Sequence, residues 1–311
     1  MDTSDGEPRV ASPADAPDQN PDYGPDGGVS GEPYGHVVPA DVGNTIGAGV
    51  VGAIPTTEYA GPMPIPSDTV VENVVINECV RFVDGAINVT LRNVIVNCDG
   101  LYPVYFEDNS SDITVEYSRI VCSSSSKTMR IRNSQRGIVR NNELIGCQDF
   151  FYIEGVLETL LIEDNYMHSL IGSPEAHADG FQIGQGQTCT GDITIRGNYF
   201  DPDNDTIGKT DILFATRENE AAVLMENNFF HEWGWYTLRC NGVYTPCTIR
   251  NNIYEQGLKT AFSAEGRPSA AYRHSNPAPG VFECNRYEDG DFIEQEYVKG
   301  VTHSINSCPN Y

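Results

Sequence analysis

Val139-Arg140-Asn141-Asn142-Glu143-Leu144 is one copy of a phrase that recurs along the chain: an aliphatic residue, two polar residues, often Asn, then an apolar residue or two. It returns as Ile162-Glu163-Asp164-Asn165-Tyr166-Met167, Ile195-Arg196-Gly197-Asn198-Tyr199-Phe200 and Met225-Glu226-Asn227-Asn228-Phe229-Phe230. Two later copies are Ile249-Arg250-Asn251-Asn252-Ile253-Tyr254 and Phe282-Glu283-Cys284-Asn285-Arg286-Tyr287, and earlier ones place Val74, Val94 and Ser118 at the position of the last Asn. The steps between these anchors are 20, 24, 24, 23, 33, 30, 24 and 33 residues. A base period near 23 with extra residues in three repeats is the signature of a solenoid.

The phrase alternates as a strand does, and no long 3.6-residue pattern competes with it. Each repeat carries a second strand-like run, as at residues 128–132, 150–154, 180–184 and 211–215. Leucine-rich repeats have a similar period, but their leucine spacing is absent. The expected fold is therefore all-β, a single-stranded parallel β-helix of about nine coils. Each strand then pairs with its equivalents about 4.8 Å above and below. Asn142, Asn165, Asn198, Asn228 and Asn252 are expected to stack at one turn as a structural ladder, not as ligands.

Outward from the repeat, residues 1–42 read as a disordered acidic tail rich in Asp, Pro and Gly, and residues 43–311 as the β-helix domain. The tail cannot bury enough apolar surface to offset its ordering entropy. Lys and Arg total 19 against 44 Asp and Glu, a formal charge of −25. Such a surface repels nucleic-acid phosphates and anionic membranes, and no stretch has the length of apolar residues that a transmembrane segment needs. The nine cysteines lack the paired spacing of a zinc site. They point to a disulfide-permissive compartment, with buried free thiols as the alternative. Cys79, Cys98, Cys122 and Cys147 each follow their anchor by four or five residues, so at least one bridge is expected among them. Cys240–Cys247 and Cys284–Cys308 are further candidates. A monomer that is extracellular or held at a cell surface, its signal removed, is the expectation.

Three further stretches are Gly43-Asn44-Thr45-Ile46-Gly47-Ala48-Gly49-Val50, Thr69-Val70-Val71-Glu72-Asn73 and Ile87-Asn88-Val89-Thr90-Leu91-Arg92-Asn93. With His177-Ala178-Asp179-Gly180-Phe181-Gln182, an H-x-D-G-x-Q phrase, they resemble a family of secreted bacterial right-handed parallel β-helix repeat proteins with the pectate-lyase-like fold. The similarity spans roughly residues 43–290. It implies a right-handed helix and an extracellular life, but no particular activity, because fold alone does not settle function. The paired-Asp and Gly-His-Gly pattern of the polygalacturonase branch is not found.

Strand parity assigns side chains to the outer face. With Met129, Ile131, Phe151, Ile153, Phe181, Ile183, Ile212 and Phe214 inward, the outer stripe holds Arg130, Arg132, Tyr152, Glu154 and Gln182. Arg217, Arg239, Glu265 and Arg267 follow along it. Fixed cations flanked by an aromatic suit a carboxylated or sulfated sugar chain. The plainer alternative is a set of surface ion pairs such as Arg132 with Glu154. His177 beside Asp179 is placed as a proton acceptor, with Gln182 assisting, Gly180 turning the chain and the loop 169–175 walling a cleft.

The expected function is a polysaccharide lyase acting on an acidic extracellular glycan. The alternatives are a glycoside hydrolase using Asp179 with Glu154, or a non-catalytic glycan-binding adhesin. Asp201, Asp203 and Asp205 alternate as calcium ligands do, but lack the glycine and distal glutamate of an EF-hand, so an Asp-rich turn competes with a Ca2+ site. No cofactor is otherwise implied. Trp233, Trp235 and Tyr236 stack on sugar or simply cover the solenoid.

Overall fold

A computed structural model describes residues 52–124, 126–173, 175, 177–184, 186–202, 209–216, 219–231, 236–240, 247–255, 273–274, 281–291, 295–298, 301–304 and 308. The expected tail and the Gly43–Val50 stretch lie outside these residues. Among them there is no helix, and so none long and apolar enough to cross a membrane. Parallel strands stack in two sheets of 17 and nine strands, an arrangement consistent with a parallel β-helix solenoid. The strand Val301–Ser304 departs from it, pairing antiparallel with Gln295–Val298.

The recurring phrase is the corner between the two sheets. Its aliphatic residue closes a strand of the larger sheet and faces the interior; Leu91, Val115, Val139, Ile162, Ile195, Met225 and Ile249 are all fully buried. The residue before each anchor turns the chain in the left-handed region, from Asn73 (φ 59°) and Asn93 (φ 51°) to Asn251 (φ 55°) and Cys284 (φ 55°). Asn and Gly tolerate that region best, which explains their frequency there. The anchor itself points inward. The Asn142 amide donates to Asn165 Oδ1 at 3.0 Å, Asn165 to Asn198 at 2.9 Å, and Asn198 to Asn228 at 3.0 Å. Asn228 donates to Asn252 at 3.0 Å and Asn252 to Asn285 at 2.9 Å. Each Oδ1 also accepts the preceding anchor's backbone N–H, so buried polar groups satisfy one another from coil to coil.

A second ladder runs on the outer side of the same corner. Glu72, Arg92, Glu116, Arg140, Glu163, Arg196, Glu226, Arg250 and Glu283 stand in one register column, acid and base alternating without exception. Glu116 is buried and holds Arg92 Nε at 2.6 Å and Arg140 Nη2 at 2.7 Å. Glu163 holds Arg196 at 2.7 Å and Glu226 holds Arg250 at 2.8 Å.

All eight half-cystines pair as Cys79–Cys98, Cys122–Cys147, Cys240–Cys247 and Cys284–Cys308, leaving Cys189 as a buried thiol. Two of these bridges fall among the four cysteines whose spacing predicts at least one.

Two expectations change. Leu213 pairs with Phe181 and Phe214 with Gln182, because the register shifts between Ala178 and Asp179. Ile212 is fully buried as expected, but Leu213 and Ala215, also fully buried, continue the inward rows of Phe181 and Ile183, and Phe214 joins the outer column. Gly180 makes no turn either. It lies within the strand Ala178–Ile183, where a Cβ would sit 2.6 Å from Ile212 O, so its glycine permits a close backbone approach.

Candidate functional site

The strands Val80–Arg81, Val104–Phe106, Lys127–Arg140, Asp149–Glu163, Ala178–Ile183 and Lys209–Ala215 lie side by side in the larger sheet. Their register sets Arg81, Tyr105, Arg130, Tyr152, Gln182 and Phe214 in one outer column, a rung about every 4.8 Å. The alternate residues Val104, Phe106, Met129, Ile131, Phe151, Ile153, Phe181 and Ile183 are fully buried and anchor the strands from below. At Asn133 (φ 44°) and Gly155 (φ 86°) the two long strands turn away from this face. A Cβ on Gly155 would meet Asn133 Oδ1 at 2.5 Å, so the turn there requires glycine.

Arg130 is the centre of the cluster. Its guanidinium lies 4.9 Å from the ring centres of both Tyr102 and Tyr105 and 5.8 Å from that of Tyr152, a cation enclosed by aromatic faces. Its Nε donates to Glu154 Oε2. Burial and the Glu154 carboxylate push the Tyr152 phenol up to about 12, which keeps it protonated as a donor. Arg81 lies over Tyr105 at 5.1 Å and donates to the carbonyls of Leu101 and Tyr102, both at 2.8 Å, fixing the loop that carries Tyr102.

Arg132 pairs in register with Glu154, yet its ion pair is with Asp108, at 3.2 Å. The pair expected between Arg132 and Glu154 is thus replaced by Arg130–Glu154, because Asn133 Nδ2, at 3.0 Å, holds Asp108 beside Arg132. Glu107 completes the group. Phe106 pairs with Ile131, so Glu107 is level with Arg132 and Glu154. Asp108 and Glu154 are both in ion pairs, whereas the half-buried Glu107 carboxyl makes no hydrogen bond or ion pair among the described residues. Burial pushes its proton affinity up, with Arg81 the main cation opposing the shift.

His177 and Asp179 stand elsewhere. Asp179 is buried, its N–H donates to Asp149 Oδ1 at 2.9 Å, and its own Oδ1 accepts Asp211 N–H at 3.1 Å. Lys127 Nζ lies 2.6 Å from Asp149 Oδ2, and burial pushes the Asp149 carboxyl up against that cation. His177 is exposed at the start of the strand, its carbonyl accepting Gln148 Nε2 at 3.0 Å, and its charge bears on Asp149. Ile153 pairs with Ile183, so Glu154 lies five residues along the strands from the level of Asp179. At ~3.3 Å per residue that is about 16 Å, too far for carboxyl groups that cooperate at ~5–9.5 Å. His177 lies two residues further still from the level of Arg132, too far to share one sugar with it. The loop beyond, expected to wall a cleft, is tied down at its start: Leu170 is buried and its N–H donates to Pro202 O at 3.0 Å.

Arg239 is in register with Phe214, and so its backbone continues the column; its side chain, like Arg217, Glu265 and Arg267, lies outside the described residues. Asp201 pairs with His231 Nδ1 at 3.3 Å, while Asp203 and Asp205 lie outside the described residues, as do Trp233, Trp235 and the side chain of Tyr236. Among the described residues no three His, Cys, Asp or Glu groups gather to hold a metal ion.

Sequence parity finds Arg130, Arg132, Tyr152, Glu154 and Gln182 but misses Arg81, Tyr102, Tyr105, Glu107 and Asp108, one or two coils earlier. Carrying the inward pair Met129 and Ile131 back to Val104 and Phe106 would have found Tyr105 and Glu107. Comparison with family models, with characterised proteins and with solved structures finds no match for this chain.

Proposed function

We propose that this chain is an extracellular, right-handed β-helix of about nine coils that binds an acidic polysaccharide along the Arg–Tyr column and cleaves it. The column carries the reading. Planar cations and aromatic rings repeat once per strand along the solenoid axis, a spacing suited to an extended polymer and unsuited to a compact ligand. Arg132 is the group placed to take a sugar carboxylate or sulfate. Its pair with Asp108 is about one-third exposed on both sides, a kind of contact that contributes little and exchanges readily. Arg130, held by Glu154 and three rings, shapes the floor, and Tyr152 and Gln182 stand beside it in the column. The four disulfides and the resemblance to secreted β-helix proteins support the extracellular setting.

The test is a screen of polygalacturonate, alginate, hyaluronan and chondroitin sulfate, read both by ultraviolet absorbance of an unsaturated product and by new reducing ends. Absorbance marks a lyase; reducing ends without it mark a hydrolase. Arg132→Ala is expected to weaken binding several-fold and to lower its salt dependence. A wild-type protein that neither binds nor cleaves any of these polymers overturns the proposal, and one that binds without cleaving makes it a glycan-binding protein.

A further inference from the structure

Any cleavage of a glycosidic link, by elimination or by hydrolysis, must deliver a proton to the departing oxygen. Three carboxyl groups border the Arg–Tyr column, and two of them already accept hydrogen bonds or ion pairs from neighbouring side chains. Glu154 is buried and bonded to Arg130, and Asp108 accepts from Arg132 and Asn133. Glu107 differs in its bonding: it is partly exposed, level with Arg132, and without a hydrogen-bond or ion-pair partner among the described residues. A sugar gripped by Arg132 therefore brings its flanking linkage over or beside Glu107.

We propose that Glu107 is the catalytic proton donor of this face. The inference rests on the glycan-cleaving reading above. In the step itself the carbon–oxygen bond of the linkage breaks and its electron pair stays on the bridging oxygen. In an elimination the carbon takes up the electron pair of the neighbouring C–H bond, whose proton passes to water; in a hydrolysis it bonds to a water that gives up a proton to solvent. The bridging oxygen takes the Glu107 carboxyl proton, leaving a carboxylate that solvent reprotonates. Burial raises the proton affinity of Glu107, which favours the protonated form that a donor needs. Once ionised, the carboxylate is stabilised by Arg81, Arg130 and Arg132, whose charges all bear on it.

Glu107→Gln keeps the shape of the residue and removes its proton. On whichever polymer of the screen the wild type cleaves, kcat should fall at least about a hundredfold with KM little changed. A substrate with nitrophenol at the broken bond, a nitrophenyl glycoside if the wild type hydrolyses or a 4-O-nitrophenyl uronate if it eliminates, has a leaving group that needs no proton and should be cleaved by the variant within a few-fold of wild type. Carboxyl-carbon NMR on the free protein should show a raised carboxyl titration that is lost in Glu107→Gln, while those of Asp149 and Asp164 remain. Unchanged kcat on the polymer, or equal loss on both substrates, would overturn the role of Glu107 while leaving the glycan reading intact. A wild type that cleaves nothing in the screen overturns both the role of Glu107 and the glycan-cleaving reading.

Discussion

Asn198→Ala tests the interior ladder at its middle rung. The Asn198 Oδ1 accepts the Asn165 backbone N–H at 3.0 Å and the Asn165 amide at 2.9 Å, while its Nδ2 donates to Ile162 O at 3.0 Å. Alanine deprives these three groups at once, together with Arg196 O and Asn228 Oδ1, the latter keeping the Asn198 backbone N–H. The site is about 1% exposed, so water cannot replace the lost amide. A buried polar group left without its partner costs about 1–3 kcal/mol. Three such groups, with some relaxation of the neighbouring turns, give a loss of ~3–5 kcal/mol, at the upper end for single substitutions. Equilibrium urea unfolding of the oxidised protein, followed by circular dichroism, reads this as a lower midpoint at an unchanged m-value. A loss below about 1 kcal/mol at equal m would refute the reasoning, since the three groups would then have found other partners.

Acid should expose the outer ladder. Burial would raise the Glu116 carboxyl, but its hydrogen bonds to Arg92 and Arg140 outweigh that and hold it below the usual range. A depressed folded value contributes stability that is present above about pH 4.3 and is lost as pH falls through the folded value. Glu116→Gln should therefore melt below wild type at neutral pH, by about 1–2 kcal/mol given its half-exposed partners, and the two melting curves should converge toward pH 2. A gap that persists at pH 2 would show that charge is not the cause. For the bridges, denatured and unreduced protein should yield one titratable thiol, that of Cys189. Replacing Cys122 and Cys147 together by Ala should lower stability by ~2–4 kcal/mol; unchanged melting would show that this link constrains nothing.

How much of this was legible without coordinates differs between fold and site. The six-residue phrase exposes the corner because its three constraints, an inward aliphatic, a left-handed turn residue and an inward Asn, act within a few residues of one another. Cys79 to Cys147 were legible for the same reason, as each keeps a fixed offset from its anchor. The charge ladder was present in the same phrases, as Arg140, Glu163, Arg196, Glu226, Arg250 and Glu283, but alternation from coil to coil shows only when residues some 20–30 apart are laid side by side. The site was harder. His177 and Asp179 are close in sequence, yet their depth along the strand is set by pairing with Asp149 and Asp211, which no local pattern announces. Phe214 faces outward against strict parity because the register shifts at Ala178. Glu107 follows a strand of three residues, Val104–Phe106, too short for alternation to stand out.

The two ladders at the corner also solve different halves of an assembly problem. Every rung of the interior ladder from Asn142 to Asn285 is the same amide, so it fastens any coil to any other equally well. The charges cannot be exchanged in that way. A strand ending in Arg196 that skipped its neighbours and met Arg140 would lay like on like, which cross-strand pairs penalise, whereas its true neighbours Glu163 and Glu226 attract it from both sides. The effective building block of the solenoid is therefore a doublet, one acidic coil and one basic coil. Lengthening or shortening this chain by two adjacent coils preserves the alternation, while adding or removing one leaves a repulsive seam wherever it is made.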